Sequence, residues 1–296
     1  MQQHTLLYRD DFASMGKHLA SLLDLRHALI DHHTFPDGES YIRLSNIPPG
    51  NIWILDSLYP PNDRIIELIL SAHKLRAEGV SSIRLVSPYL PYMRQDTAFH
   101  EGEVVNARAI GKLISAHVDE VITVDPHLHR IHDLNEVFYC ETTVLHANDQ
   151  IAAWIGLNLE SPVIVGPDSE SQQWVSLLAE QLEAPYVVFK KERKGDRRVS
   201  IEYAGINQIS TGTPVILDDI ISTGVTMANA GKLVFEHTGK HPVGVAVHGI
   251  FSGNATEILH KAGFSKIITT NSLPRKGNQI DLVPLLADTL AEKING

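Results

Sequence analysis

The sequence is poor in cysteine, in basic residues and in long apolar runs. Cys140 is the one cysteine among 296 residues, so no disulfide can form within the chain, and we expect a reducing, cytoplasmic setting. Lysine and arginine number 25 against 35 acidic residues, a net charge of −10, which argues against non-specific nucleic-acid binding. No apolar stretch approaches the roughly 18 to 20 residues of a membrane span, and the first residues lack the pattern of a signal peptide. We therefore expect no membrane association.

Short apolar runs alternate with segments of helical period. The runs predict strands at 52–55, 83–86, 121–124, 163–165, 215–217, 243–247 and 267–269, and the periodic segments predict helices near 12–23, 63–78, 104–116, 171–182, 225–238 and 254–262. This alternation favours parallel sheets covered by helices on both faces, hence the α/β class. Polar residues follow four of the strands, two in each half of the chain, which predicts two similar domains with a boundary near residue 145.

The segment 214–226 joins a short apolar strand to two acids, a turn with hydroxyl groups and glycine, and a helix. Backbone N–H groups and the dipole at a helix N-terminus form an anion site, which Ser222, Thr223, Gly224 and Thr226 would complete for a phosphate. Asp218 and Asp219 would repel that phosphate, so they are better suited to accept from sugar hydroxyls. The predicted ligand is a phosphorylated sugar. An ordinary strand, turn and capped helix is the alternative interpretation.

A basic run from Lys190 to Arg198 places six Lys and Arg residues within nine positions. Most such runs are solvated loops. This one lies between two predicted strands, 186–189 and 199–203, where a sheet edge could bind an anionic substrate. His127, taken by itself, is compatible with a general base or with a surface histidine.

Several further motifs accompany the phosphate segment: Phe-Pro-Asp-Gly-Glu at 35–39, Pro-Tyr-Met-Arg-Gln-Asp at 91–96, Val-Asp-Pro-His at 124–127, Gly-Pro-Asp at 166–168 and Lys-Lys-Glu-Arg at 190–193. Together, from about residue 30 to about 272, they resemble the ribose-phosphate pyrophosphokinases, and most of all the short archaeal type. The type I phosphoribosyltransferases share only the 218–226 motif.

The resemblance implies an activity and an architecture. The activity is transfer of the diphosphoryl group of ATP to the C1 hydroxyl of ribose 5-phosphate, which gives phosphoribosyl pyrophosphate (PRPP) and AMP with Mg²⁺ as cofactor. The architecture is two phosphoribosyltransferase-like domains, 1–145 for ATP and 146–281 for ribose 5-phosphate, with the last helix at 282–296 packed on the first domain. The family also implies a homo-oligomer, a dimer or larger.

The family's functional positions map onto individual residues of this chain. The resemblance implies the following roles: catalysis by Lys191 and Arg193 on a mobile loop; ATP binding by Phe35, Asp37, Glu39, Arg94, Gln95 and Asp96; ribose 5-phosphate binding by Asp218, Asp219, Ser222, Thr223, Gly224 and Thr226; and metal binding by His127 and Asp168. Phe35 would stack on the adenine of a neighbouring subunit. Since Pro-Asp-Gly is a common turn sequence, a plain surface turn is the alternative for 35–39.

The chain departs from the family pattern after Asp168. A glycine pair and then a basic residue are expected there, but the sequence has Ser169, Glu170 and Ser171, with Trp174 in place of the arginine; Val225 also replaces a glycine. We therefore expect reduced ATP affinity or turnover. Two other functions stay open on the sequence: a phosphoribosyltransferase that uses PRPP, and a non-catalytic regulatory relative.

Overall fold

The computed structural model describes residues 3–128, 130–193, 199–202, 209–275, 277 and 280–296, with the backbone alone described for 190–193 and 199–202. The chain divides into two compact units. The first contains residues 1–146, 272–274 and 282–296, and the second contains residues 147–271 and 275–281. The last segment of the chain therefore belongs to the first unit.

The first unit is built on a six-stranded sheet in which every pairing is parallel. Its order is β2-β1-β5-β6-β7-β8. The strands are β1 (His4–Tyr8), β2 (Arg26–Leu29), β5 (Asn51–Leu55), β6 (Ser82–Ser87), β7 (Glu120–Val124) and β8 (Glu141–Leu145); a separate antiparallel hairpin consists of β3 (Asp31–Thr34) and β4 (Ser40–Arg43). The helices are α1 (Ala13–Leu22), α2 (Pro61–Ala77), α3 (Asn106–Ser115) and, at the end of the chain, α8 (Val283–Asn295).

The second unit has a five-stranded parallel sheet in the order β10-β9-β13-β14-β15 and a two-stranded antiparallel hairpin, β11-β12. The strands are β9 (Pro162–Gly166), β10 (Tyr186–Val188), β11 (Lys190–Arg193), β12 (Val199–Glu202), β13 (Thr213–Ile221), β14 (Val243–Gly249) and β15 (Lys266–Thr269). Its helices are α4 (Asn148–Asn158), α5 (Gln172–Gln181), α6 (Val225–Thr238) and α7 (Ala255–Lys261). The predicted α/β class with mainly parallel sheets is confirmed.

In each unit an apolar core lies between the sheet and the helices that pack on it. In the first unit Ile52, Leu85 and Val121 come from neighbouring strands and are fully buried against helix residues such as Leu68 and Ile114. In the second unit the corresponding core joins β9, β13 and β14 to α6 and α7. Apolar runs of this kind suit strands buried on both faces, which is why the central strands other than β1 could be predicted from the sequence.

The C-terminal helix α8 packs against α1 within the first unit. Leu286 and Leu290 are fully buried on its inner face. Near its end, Lys293 forms an ion pair with the buried Glu120 of β7, whose other carboxylate oxygen lies 3.2 Å from Arg84 Nε. Two cations thus compensate one buried carboxylate, and the helix end is attached to the sheet.

Strand β13 is longer than predicted. It was expected at 215–217, with Asp218 and Asp219 beyond its end, but it continues to Ile221 because pairing with β14 extends as far as Gly249. Both acids consequently lie within a paired strand. Among the described residues, no helix has the length and apolar character needed to cross a bilayer.

Candidate active site

The turn between β13 and α6 has the backbone geometry of an anion site. Gly224 is the N-cap of the 14-residue helix α6 and has a left-handed φ of +75°. A Cβ at this position would lie 3.1 Å from the Leu259 side chain, so both conformation and space call for glycine. Thr223 beside it is exposed, and Ser222 and Thr226 are half-buried. Hydroxyl groups therefore surround the positive end of the helix dipole.

A cluster of acids lies beside this turn, at the edge of the second unit's sheet where β9 and β13 end. Asp218 accepts from the Asp219 backbone N–H at 3.0 Å. Burial raises the pKa of Asp218 well above its usual range, and the nearby carboxylates of Asp219 and Asp168 raise it further. Asp168 follows β9, the strand paired with β13. Like charges so placed are stabilised by a shared proton, by a cation or by hydroxyl donors.

The loop after Asp168 uses its own backbone amides. Ser169–Ser171 forms a short 3₁₀ turn in which the Asp168 carboxylate accepts from Glu170 N–H at 3.1 Å and the Asp168 carbonyl accepts from Ser171 N–H at 3.3 Å. The Ser171 hydroxyl donates to the same carbonyl at 2.6 Å. Glu170 is exposed and Trp174 is half-buried on α5. Donors that could contact a phosphate are therefore engaged within the turn.

In the first unit, the motif at 91–96 follows β6. Arg94 is exposed, whereas Gln95 is half-buried and its side-chain oxygen accepts from Asn106 Nδ2 at 2.6 Å. Asp96 is almost fully buried, and its two carboxylate oxygens accept from Arg130 N–H at 2.7 Å and from Arg130 Nη1 at 3.2 Å. Because Arg130 lies in the segment that follows β7, Asp96 ties the loops of two adjacent strands together.

His127 lies in that second loop and is half-buried. Two residues before it, Asp125 has a left-handed φ of +41° and is buried. The Asp125 carboxylate accepts from His146 Nδ1 at 2.7 Å, and this bond raises the pKa of His146, with burial acting in the opposite direction. The bond joins the end of β7 to the end of β8, two residues before His127.

The hairpin of β3 and β4 carries Phe35, Asp37 and Glu39 in its connecting turn. Phe35 N–H donates to the Glu39 carbonyl at 2.8 Å, and Asp37 accepts from Glu39 N–H at 3.2 Å. The Phe35 ring is 43% exposed, so it is available to a flat ligand, and it lies edge-on to the His33 ring with centroids 4.7 Å apart. The segment is a turn that displays an aromatic ring, and the assignment of its residues to ATP stays a prediction.

Lys191 and Arg193 lie in β11, which pairs with β12 through Arg193 and Val199. The basic run therefore begins as a strand, not as a loop. The side chains of both residues, and residues 194–198, lie outside the described part of the chain. Their assignment to catalysis stays a prediction.

Some of the predicted residues thus form one group within the second unit, and others form a separate group within the first unit. Asp168, Asp218, Asp219 and the 222–226 turn share a sheet edge, and Asp96 connects the Arg94–Gln95 loop to the His127 loop. The sequence did not predict the bond between Asp125 and His146 or the bonds between Asp96 and Arg130. The two residues of each pair are separated by 21 to 34 positions along the chain, and no motif predicted those contacts. Among the described residues, no three His, Cys, Asp or Glu side chains form a ready-made metal-binding group.

Comparison with known proteins identifies the family. Residues 6–117 match the N-terminal domain of ribose phosphate pyrophosphokinase, and residues 141–282 match the phosphoribosyl transferase domain. A ribose-phosphate pyrophosphokinase of Sulfurisphaera tokodaii is 34% identical over 95% of this chain and 96% of its own length. One of Methanobrevibacter smithii is 31% identical over 94% and 97%. The chain belongs to the ribose-phosphate pyrophosphokinase family.

A solved structure agrees with this membership. The phosphoribosylpyrophosphate synthetase of Mycobacterium smegmatis superposes with a TM-score of 0.87 at 25% identity and covers the whole of both chains. The predictions of family, of a fold with two phosphoribosyltransferase-like domains, and of a transferase with ribose-phosphate pyrophosphokinase activity are confirmed.

The bond between His146 and Asp125 predicts a pH-dependent contribution to stability. Because the folded-state pKa of His146 is raised, the bond stabilises the protein fully below about pH 6.5, the unfolded value, and the contribution is lost as pH rises through the folded pKa. His146→Gln should therefore lower the free energy of unfolding more at pH 5.5 than at pH 9. Urea unfolding of both proteins at the two pH values measures this, and an equal loss at both would contradict it.

Proposed function

We propose that this chain transfers the diphosphoryl group of ATP to the C1 hydroxyl of ribose 5-phosphate. The hydroxyl oxygen would bond to the β-phosphorus as the bond from that phosphorus to the α,β-bridging oxygen breaks, so that AMP leaves and the hydroxyl proton is lost. The observation that carries the proposal is the pairing of a helix N-terminus with a carboxylate pair at one edge of the second sheet. One element suits the 5-phosphate and the other suits the sugar hydroxyls.

The proposed ribose 5-phosphate site consists of the α6 N-terminus and the two acids. The phosphate would accept from the hydroxyls of Ser222, Thr223 and Thr226 and from backbone N–H groups at Gly224. Asp218 and Asp219 would accept from the ribose hydroxyls. Burial and the neighbouring carboxylates raise the pKa of Asp218, and substrate hydroxyls or a cation beside it would both favour its charged form.

The acid cluster also suits Mg²⁺. Magnesium prefers oxygen ligands and is commonly held by one or two carboxylates together with waters and substrate phosphates, so a complete protein cage is not needed. Asp168 supplies such an oxygen beside Asp218 and Asp219, and we assign His127 to the metal from the family pattern alone. When bound, the ion would neutralise charge on the transferred phosphates.

The chain's own residues would orient ATP and stabilise the transferring group. We assign the adenine to Phe35, Asp37 and Glu39 of a neighbouring subunit, and other parts of ATP to Arg94 and Gln95. Since the Gln95 oxygen already accepts from Asn106, its NH₂ group is the one suited to donate to a ligand. Lys191 and Arg193 would close on the phosphates in the transition state. The proposed oligomer is a dimer or larger.

We propose a different role for Asp96 than for Arg94 and Gln95. Both of its carboxylate oxygens bond to Arg130, so we infer that it serves ATP binding by holding the loops after β6 and β7 together, not by direct contact.

The activity itself is tested by incubating the full-length protein with ATP, Mg²⁺ and ribose 5-phosphate. AMP and PRPP should appear in equal amounts. Inorganic phosphate and ADP in their place, or no product at all, would refute the proposal. Consumption of PRPP only when a nucleobase is added would identify a phosphoribosyltransferase.

Asp219→Asn should weaken ribose 5-phosphate binding by about tenfold, because a hydrogen bond to a charged group contributes about 1.5–3 kcal/mol. ATP binding should change little. Calorimetry with each ligand separately measures the two affinities. Glu236→Gln, which removes one charge from the exposed face of α6, is the matched control and should leave both unchanged. Equal loss for both ligands in Asp219→Asn would show that the acid supports the fold or the metal instead.

The loop after Asp168 predicts that ATP use can be improved. Glu170 places a carboxylate near the proposed phosphates, and the amides of residues 170 and 171 are engaged within the turn. Glu170→Gly combined with Trp174→Arg should therefore raise kcat/KM for ATP, with Ser171 retained because its hydroxyl holds the Asp168 carbonyl. Glu170→Gln separates the effect of charge from that of backbone freedom. No gain in either variant would mean that the loop is adapted to another donor or geometry.

A further inference from the structure

A buried group of charges lies beneath the β3–β4 hairpin. Arg9 follows β1 and is 5% exposed, which means that its guanidinium depends on partners in the protein. Its Nη1 donates to Glu67 of α2, and its Nε lies 4.0 Å from Asp56, which follows β5 and accepts from Arg64 at 3.0 Å. Two buried cations and two buried anions thus meet at the carboxyl edge of the first sheet.

His32 connects the hairpin to this group. Arg9 Nη2 lies 2.6 Å from His32 Nδ1, and His32 Nε2 lies 3.2 Å from Asp10 Oδ1. A guanidinium only donates, so Nδ1 must accept and therefore has no proton. The proton is then on Nε2, which donates to Asp10. In agreement, the hydrogen bond from His32 is the largest cause that lowers the pKa of Asp10.

This contact adds to the packing of β4 on α2. Among the described residues, β3 and β4 pair only with each other, and an isolated two-stranded hairpin is marginally stable. The side chains of a strand alternate between its faces. His32 and its cross-strand partner Ile42 face inward, where Ile42 packs on the apolar core. Holding His32 inward therefore turns His33 and Phe35 outward.

The outward face carries three aromatic rings in contact. His33 stacks on its cross-strand partner Tyr41 with centroids 4.4 Å apart, and Phe35 lies edge-on to both rings. A change in hairpin twist or register would move all three together.

We propose that His32, held as a neutral imidazole between Arg9 and Asp10, is a positioning residue that fixes the β3–β4 hairpin so that Phe35 presents its ring to the adenine. The inference deepens the function proposed above and rests on its assignment of Phe35 to ATP. His32 itself touches no substrate in this account.

Two amide substitutions separate the two imidazole nitrogens. Asn places its oxygen near the position of Nδ1 and can still accept from Arg9, whereas Gln places its amide near Nε2 and removes that acceptor. His32→Gln should therefore release the hairpin and His32→Asn should retain it. His73→Gln, at an exposed histidine of α2, is the control for the substitution itself.

The first measurement is hydrogen exchange of the 31–43 amides in the full-length protein without nucleotide. Exchange should be about tenfold faster in His32→Gln, the factor expected for loss of about one hydrogen bond, and close to wild type in the other two variants. The second measurement is steady-state kinetics. KM for ATP should rise in His32→Gln, while kcat and KM for ribose 5-phosphate stay unchanged, and His32→Asn should recover the wild-type value.

The outcomes distinguish failure of the inference from failure of the proposed function. Unchanged exchange in His32→Gln would overturn the inference whatever the kinetics. Faster exchange with an unchanged KM for ATP would overturn the assignment of the hairpin to adenine, and with it the positioning role. Equal effects of the Asn and Gln substitutions would show that the acceptor for Arg9 is not the reason for the hairpin's position.

Discussion

The parallel pairing of β13 with β9 and β14 is the constraint on which the second unit's site depends. Parallel strands end at a common edge, so Asp168 comes together with the two acids of β13 and the turn before α6 although at least 50 positions separate it from them in sequence. The pairing also continues past the acids to Ile221, which keeps Asp218 and Asp219 in an ordered strand at the start of the turn. A phosphate and the hydroxyls of one sugar can then bind to one rigid segment, the end of β13 and the turn that follows it.

Charge is the second constraint. A chain with a net charge of −10 must bind anionic substrates at local sites, and its acid cluster lies next to the proposed phosphate turn. The two are compatible because the turn offers backbone and hydroxyl donors while the carboxylates serve hydroxyl groups or a cation. Burial, and then the carboxylates of Asp219 and Asp168, raise the pKa of Asp218, and a cation or hydroxyl donors would favour the charged form of this cluster.

The sequence predicted those parts of the fold in which local pattern and tertiary environment agree. The apolar central strands other than β1 and the site motifs at their ends were readable, because burial on both faces and turn chemistry leave strong local signals. Strands β1, β2, β3, β4 and β8 were not predicted. The last four are short, lack full burial and include polar residues such as His32 and Arg43, and β1 has only three consecutive apolar residues.

Contacts between residues that are distant in sequence could not be predicted either. Asp96 with Arg130, Asp125 with His146 and Arg9 with His32 join residues 21 to 34 positions apart, and no helical or strand period predicts such pairs. Sequence motifs therefore located the residues proposed to contact substrate but not those that hold them in place.

The backbone conformation also indicates which loops must be held in place by their surroundings. Left-handed φ angles are costly for bulky residues, about 1–3 kcal/mol each, and persist only where the surroundings enforce them. Eight described residues other than glycine adopt them. Leu58, Tyr92, Asp125 and Phe251 lie beyond the carboxyl ends of the parallel strands β5, β6, β7 and β14, whereas Asp24, Asn46, Ser161 and Glu183 lie elsewhere. Strain at the edges proposed for substrate binding is consistent with loops fixed before substrate arrives. The bonds of the buried Asp125 and Asp96 carboxylates supply part of that enforcement in the first unit, as His32 is proposed to do for the hairpin.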